Sequence, residues 1–289
     1  MRAGATASGL LVAAGLAAST ACEIVRQVDP FEAHPDVVAI SVLLVAGESE
    51  ARVAALHPHR QWSAAKPRFS ATLEGPGWTA EFTRELRLPA CGRTGASWRV
   101  PARCVGAPLP EPIRAGGTYS IRGEAPLGSF SGQMTVPILP QLLEPEYLKS
   151  VPMPDEAGLL DIPIEYQVSA DVGTLLADVF DVLETLADGT EVEVPASHLG
   201  AFPNALGNAE QDTVSIYQDS RPLRFLLHLF GVGHNYTNFV KYTGVDPLPR
   251  PWPDFGIEGE GVYGYFDGLV YSRSVPVSVG LVGNPNRTN

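Results

Sequence analysis

From residue 37 onward, apolar side chains recur at every second position or in short unbroken runs. Residues 37–46 are nearly continuously apolar and rich in β-branched side chains, which predicts a central strand, and 52–57 predicts a second. Residues 68–74 and 78–83 flank Gly75-Pro76-Gly77, a hairpin signal. Gly116-Gly117 precedes a strand over 119–123, and 129–136 alternates until Pro137 stops it. Further strands are predicted over 161–170, 174–186, 191–195, 213–217 and 223–232, with Asp188-Gly189 as a hairpin turn. One stretch, near 235–243, has helical spacing instead. Asn235 is placed as N-cap, Tyr236, Phe239 and Val240 fall at i, i+3 and i+4, and Gly244 stands where a C-terminal cap belongs. The pattern predicts a mainly β chain with one short helix.

Composition agrees with that class. Gly (29) and Pro (26) are abundant in the 289 residues, which favours short strands and turns over a helical bundle. With 45% hydrophobic and 18% charged residues, the chain can build a sizeable core. A net charge of −12 speaks against a nucleic-acid partner, because nothing basic would neutralise phosphates. The charge is uneven. Residues 23–138 carry 11 acidic and 12 basic side chains, whereas 139–289 carry 21 and 7. The shift coincides with Pro137, Pro140 and Pro145, so a domain boundary is expected there: a β-sandwich over 37–138 and an acidic β-rich domain over 139–289 containing the helix.

The N-terminus reads as an address. Arg2, an apolar run over 9–18 and small residues before Cys22 form a secretory signal peptide over 1–21. Small residues immediately before Cys22 match a bacterial lipoprotein signal, in which that Cys carries lipid and 22–36 form a tether; Ser19 departs from the usual Leu. Ser19 and Ala21 also satisfy ordinary secretory cleavage, which would leave Cys22 as a free thiol. Three Cys is an odd number for an exported chain. If Cys22 is lipidated, Cys91 and Cys104 remain to pair across a Gly- and Pro-containing turn, with Trp98 between them. A metal site would need further ligands at short spacing, and none flanks either Cys.

A lipoprotein Cys, a sandwich ending in Gly-Gly-Thr-Tyr-Ser-Ile and Thr-Val-Pro, Asn235-Tyr236-Thr237-Asn238-Phe239 and Gly261-Val262-Tyr263-Gly264-Tyr265-Phe266 together resemble a family of Gram-negative outer-membrane lipoproteins of unknown function. The resemblance implies an immunoglobulin-like sandwich followed by a second β-rich domain. It also implies an outer-membrane location and company with receptors of the TonB-dependent kind. It carries over no catalytic residues.

Candidate chemistry is sparse. Ser63-Ala-Ala-Lys66, with Tyr236-Thr-Asn238 and Lys241-Tyr-Thr-Gly244, matches the motifs of penicillin-recognising enzymes only loosely. Pro67 disfavours the helix that such a serine must open, and the other two motifs share one short helix. His57-Pro58-His59 could offer two imidazoles to a metal, but with no third ligand a solvated strand-end pair is the better reading. His228 and His234 read as core or supporting histidines. Asp178, Asp181, Glu184, Asp188, Glu191 and Glu193 gather around one hairpin; Glu191 and Glu193 share a strand face that could coordinate a cation or meet a basic partner, but a solvated face is the better reading. Tyr263, Tyr265 and Phe266 among glycines could stack on a sugar or peptide, but packing of Tyr263 and Tyr265 against the helix is the better reading, since alternation puts both on one face. Candidate partner-binding residues are therefore Glu191, Glu193, Tyr236, Tyr263, Tyr265 and Phe266; no cofactor and no metal site is expected.

The expected function is a noncatalytic, lipid-anchored envelope protein that serves as a binding or accessory module for an outer-membrane partner. A periplasmic hydrolase working through carboxylates and a purely structural envelope protein are the alternatives.

Overall fold

The computed structural model describes residues 36–58, 65–91, 101–146, 149–151, 158–195, 204–205, 211–218, 221–243 and 254–280. In chain order the first half supplies β1 (Val38–Val45), β2 (Glu50–Leu56), β3 (Ser70–Gly75), β4 (Trp78–Glu81), β5 (Arg84–Leu86), β6 (Ala102–Pro108), β7 (Thr118–Ala125) and β8 (Gly128–Thr135). A 3₁₀ turn, Leu88–Cys91, lies between β5 and β6. The second half supplies β9 (Gln141–Glu144), β10 (Lys149–Val151), β11 (Gly158–Gln167), β12 (Thr174–Thr185), β13 (Glu191–Glu193), β14 (Asn204–Ala205), β15 (Gln211–Gln218) and β16 (Leu223–Val232). The helix α1 (His234–Thr243) follows, then β17 (Glu258–Gly259), β18 (Val262–Tyr271) and β19 (Val275–Val279). The mainly β expectation holds, with one α-helix among the described residues.

Alternation explains how these strands pack. In β1, Val38, Ile40, Val42 and Leu44 are fully buried, while Ser41, Leu43 and Val45 face outward. The inward set meets a five-stranded sheet ordered β17-β8-β7-β3-β4, whose Leu73, Tyr119, Ile121 and Phe130 complete the first core. A second core lies between the three-stranded sheet β15-β11-β9 and β12, β16 and β19; Ile162, Ile164, Val179, Phe225, Leu227 and Val277 fill it.

One large sheet serves both cores, in the order β10-β19-β16-β18-β1-β2-β6-β5, with β12 also beside β16. Strand β18 joins its two parts. Residues 262–269 run parallel to β1, and Leu269, Val270 and Tyr271 pair with Val232, Gly231 and Phe230 of β16. Accordingly Ile257, Val262, Phe266 and Val270 belong to the first core, together with residues from 38–136. The described residues all fall in one compact unit.

Two local features follow from specific residues. Gly264, at φ +136°, lies so close to β1 that a Cβ would collide with the Ile40 carbonyl oxygen; only glycine permits this parallel pairing. In β12, a bulge between Phe180 and Leu183, with Asp181 at φ 50°, shifts the inward set from 175, 177 and 179 to 182 and 184. The bulge turns Glu184 inward to 8% exposure, where Arg221 pairs with it at 3.2 Å. The Asp188-Gly189 turn forms as expected. Gly189 adopts φ +83°, and the Asp188 carboxylate accepts the Thr190 N–H at 2.9 Å.

Candidate functional site

The outward face of β18, β1 and β2 is covered at one side by α1. Between α1, that face and the Leu88–Cys91 turn runs a cleft of about 500 Å³. Its floor is Ser41, Leu43, Val45 and Ala54; Tyr236, Phe239 and Val240 of α1 with Tyr265 of β18 form one wall, and Ala90 and Cys91 the other. Glu48, Glu50 and Arg52 close one end.

The aromatic wall is a packed cluster. Tyr236 meets Tyr265 edge-on with ring centroids 5.0 Å apart, and Phe239 meets the same ring at 5.0 Å. Behind them Phe239 and Tyr242 pack on the buried Phe255, at 5.6 Å and 5.4 Å.

The start of α1 is held by groups distant in sequence. Asp267 of β18, only 2% exposed, accepts the Tyr236 N–H at 2.7 Å and its own neighbour Gly268 N–H at 2.7 Å. Asp267 is thus the acceptor at the helix start, and the expectation that Asn235 caps the helix is corrected. Asn235 lies inside α1 and donates its Nδ2 to the Phe266 carbonyl at 3.0 Å. The reason is geometric: α1 begins at His234, so the residue before it is Gly233, whose missing Cβ leaves the space that the Asp267 carboxylate fills. Thr237 adds bonds to the Gly233 carbonyl (2.9 Å) and to Thr174 Oγ1 (2.8 Å), and His234 Nε2 bonds the Ala170 carbonyl at 2.9 Å. Burial pushes the Asp267 carboxyl above its ordinary 3.8, against the hydrogen bonds from Tyr236 and Gly268 and the charge of His234.

At the charged end, Arg52 reaches Glu48 at 3.3 Å and Glu50 at 3.4 Å, and Arg84 pairs with Glu50 from outside. Beside the opposite wall, Glu85 is bridged to Arg103 at 2.6 Å and to Lys66 at 3.4 Å. Burial would raise the Glu85 carboxyl, but the hydrogen bond and charge of Arg103, with Lys66, outweigh it and hold the group below its ordinary value. The wall itself is tied down covalently. Cys91 and Cys104 are disulfide-bonded, with Cα atoms 6.0 Å apart, closing the connection between β5 and β6. Such an arrangement offers apolar and aromatic contact along the cleft, with exchangeable charge at one end. It can bind.

The predicted site residues separate. Tyr236 and Tyr265 come together in the cleft. Tyr263, in register with Ala39, is half-buried and does not line it. Phe266 points the other way into the first core at 0% exposure, because alternation opposes it to Tyr265; it offers no surface to a partner. Glu191 and Glu193 are exposed on β13, away from the cleft lining, and Glu191 is bound by Arg224 at 2.6 Å. The acidic residues around that hairpin find separate partners rather than one site: Glu184 has Arg221, Asp188 the Thr190 N–H, and Asp178 faces His228 at 4.0 Å. The expectation of a solvated His57 is corrected: its ring is buried, turned inward so that Nδ1 lies 3.0 Å from the Val37 carbonyl. Both loose motifs of 236–238 and 241–244 start on α1. Cys22, His59, Ser63, Trp98 and Gly244 lie outside the described residues. Among the described residues, no three His, Cys, Asp or Glu side chains gather to hold a metal ion.

Leu43, Val45, Glu48, Glu50 and Arg52 complete the cleft without any local sequence signal. Only the parallel pairing of β1 with β18 brings them to Tyr265.

No protein-family model and no curated protein matches the chain. Among solved structures, the chain is similar to the titin domains Z1Z2 in complex with telethonin, at 10% identity and TM-score 0.19, covering 84% of this chain and 92% of that one. A chimeric titin Z1Z2 carrying an exogenous decorin peptide gives 11% identity and TM-score 0.19, over 84% and 94%. The three-Ig structure of titin domains I67–I69 gives 11% and TM-score 0.22, over 84% and 62%. At these TM-scores the likeness carries no argument about this chain, and the β architecture rests on its own strand pairing.

Proposed function

We propose that this chain is a noncatalytic binding module, tethered to the outer membrane through lipid on Cys22, and that the cleft under α1 receives a segment of an outer-membrane partner such as a TonB-dependent receptor. The observation that carries the reading is the cleft itself. Tyr236, Phe239, Tyr265, Leu43 and Val45 give it apolar and aromatic walls, and the Glu48–Arg52–Glu50 cluster lies at its mouth. Such a surface discriminates a partner by shape and apolar contact, with the charges setting orientation. Asp267, the buried carboxylate beside the cleft, is occupied in holding the start of α1, which favours binding over acid–base chemistry. Lipid on Cys22 would bury many methylene groups, each worth about 0.8 kcal/mol, more than reversible anchoring needs.

Mass spectrometry of the N-terminal peptide from membrane-extracted protein tests the tether. A Cys22 N-terminus bearing acyl chains is expected, and Cys22→Ser should release the protein from the membrane fraction. An unmodified Cys22 would overturn the tether.

A further inference from the structure

The disulfide sits in an unusual place for a structural staple. Neither Cys91 nor Cys104 is part of either hydrophobic cluster, although Cys104 is fully buried. Cys104 is on β6, opposite Ala54 of β2, and Ala54 is part of the cleft floor. β6 is secured without it: the strand pairs with β2 over residues 102–108 and with β5 over 104–106, and Val105 and Ala107 anchor it in the first core. Among the described residues, the Leu88–Cys91 turn shows no such security. None of its four side chains is buried, and its described backbone hydrogen bond, Ala90 N–H to the Arg87 carbonyl, is local. A turn without a buried anchor gains almost nothing from the hydrophobic effect, so the covalent bond decides its position. Yet Ala90 and Cys91 make the wall that faces the aromatic cluster of α1.

Resting on the reading of the cleft as a binding site, we propose that the Cys91–Cys104 disulfide is a redox latch on the cleft: its reduction frees the Leu88–Cys91 wall and abolishes ligand binding while both cores stay folded. The reductant is a dithiol. Its thiolate attacks the Sγ of Cys91, the less buried of the two cysteines, and the S–S bond breaks. Cys104 Sγ leaves and takes a proton. The second thiol of the reductant then displaces Cys91 from the mixed disulfide. Two electrons and two protons end on the two cysteines, and the reductant holds its own disulfide.

The test uses the purified full chain, oxidised and reduced, with the C91S/C104S variant as a permanently open form. Anilinonaphthalene sulfonate, an aromatic anion, is the probe of the cleft, and amide exchange reports the wall. In the oxidised protein the dye binds, and Leu43→Lys in the cleft floor removes that binding. Reduction, or the double variant, is expected to weaken the dye at least about tenfold and speed exchange at Ala90 by a similar factor, with exchange in β1 and β11 unchanged. Dye affinity within about twofold in both redox states would overturn the latch and leave the binding reading standing. Loss of protection throughout β1 and β11 on reduction would also overturn it, because the bond would then support the cores. Absence of dye binding in the oxidised protein, or binding indifferent to Leu43→Lys, would sink the binding reading and the latch with it.

Discussion

Asp267 is 2% exposed, carries a carboxyl whose protonated form burial favours, and yet holds the first turn of α1 through the Tyr236 N–H. Removing the acceptor leaves that N–H unpaired, so Asp267→Ala should destabilise the chain by about 2 kcal/mol in urea unfolding. Asp267→Asn keeps an acceptor oxygen and sheds the buried charge, so it should lose less than half as much. Equal losses would show that the charge, rather than the hydrogen bond, matters. His228 makes the complementary case. Its ring lies 4.6 Å from Phe180 and 5.2 Å from Tyr271, with Nε2 buried and lacking a hydrogen-bond partner among the described residues. Burial lowers its pKa below the ordinary 6.5, only partly opposed by Asp178. Below 6.5 the unfolded chain therefore binds a proton that the folded chain resists, and stability falls as pH drops through that window. His228→Leu should flatten the decline in thermal stability between about pH 7.5 and about pH 5. An unchanged slope would exclude His228 as its source.

Strand β18 shows what an element can conceal. Residues 161–170, 174–186 and 223–232 were legible as strands because their apolar positions alternate, and β11, β12 and β16 form at Gly158–Gln167, Thr174–Thr185 and Leu223–Val232. β18 is buried along nearly its whole length, one face in the first core and the other under α1, so its glycines and aromatics carry no alternation to read. Glycine-flanked tyrosines allow either a stacking surface or packing against the helix; Tyr265 packs on α1, and Gly264 is there to let β1 approach. Its partner comes from the far end of the described chain, and no local pattern announces a parallel pairing over that distance. The cap was misread for the same reason: Asn235 has the right local chemistry, but Asp267 arrives from another strand. Gly264→Ala should force β18 off β1 and cost more than about 3 kcal/mol, measured as a collapse of the unfolding transition. A stable variant would mean that the strands can separate without penalty.

At the scale of the molecule, β18 makes the first core depend on residues far beyond 138. Ile257, Val262, Phe266 and Val270 are all 9% exposed or less within it, and each contributes about 1.5–3 kcal/mol by burial. Residues 37–138 alone would expose that surface and leave β1 with an unpaired edge. They should fail to unfold cooperatively, whereas the chain from residue 37 onward should do so; a sharp transition in the short fragment would contradict this. The same arrangement brings Tyr236 and Tyr265 to Leu43 and Val45, so the proposed binding cleft exists only in the assembled chain. Site-specific photo-crosslinking in intact cells tests that cleft most directly, with the photoreactive residue placed at Val240, which is 47% exposed on the cleft wall, or at Leu159, 74% exposed and outside it. The account predicts an adduct with an outer-membrane receptor from Val240, abolished by Leu43→Lys and absent from Leu159. Adducts from Leu159 with none from Val240 would contradict it.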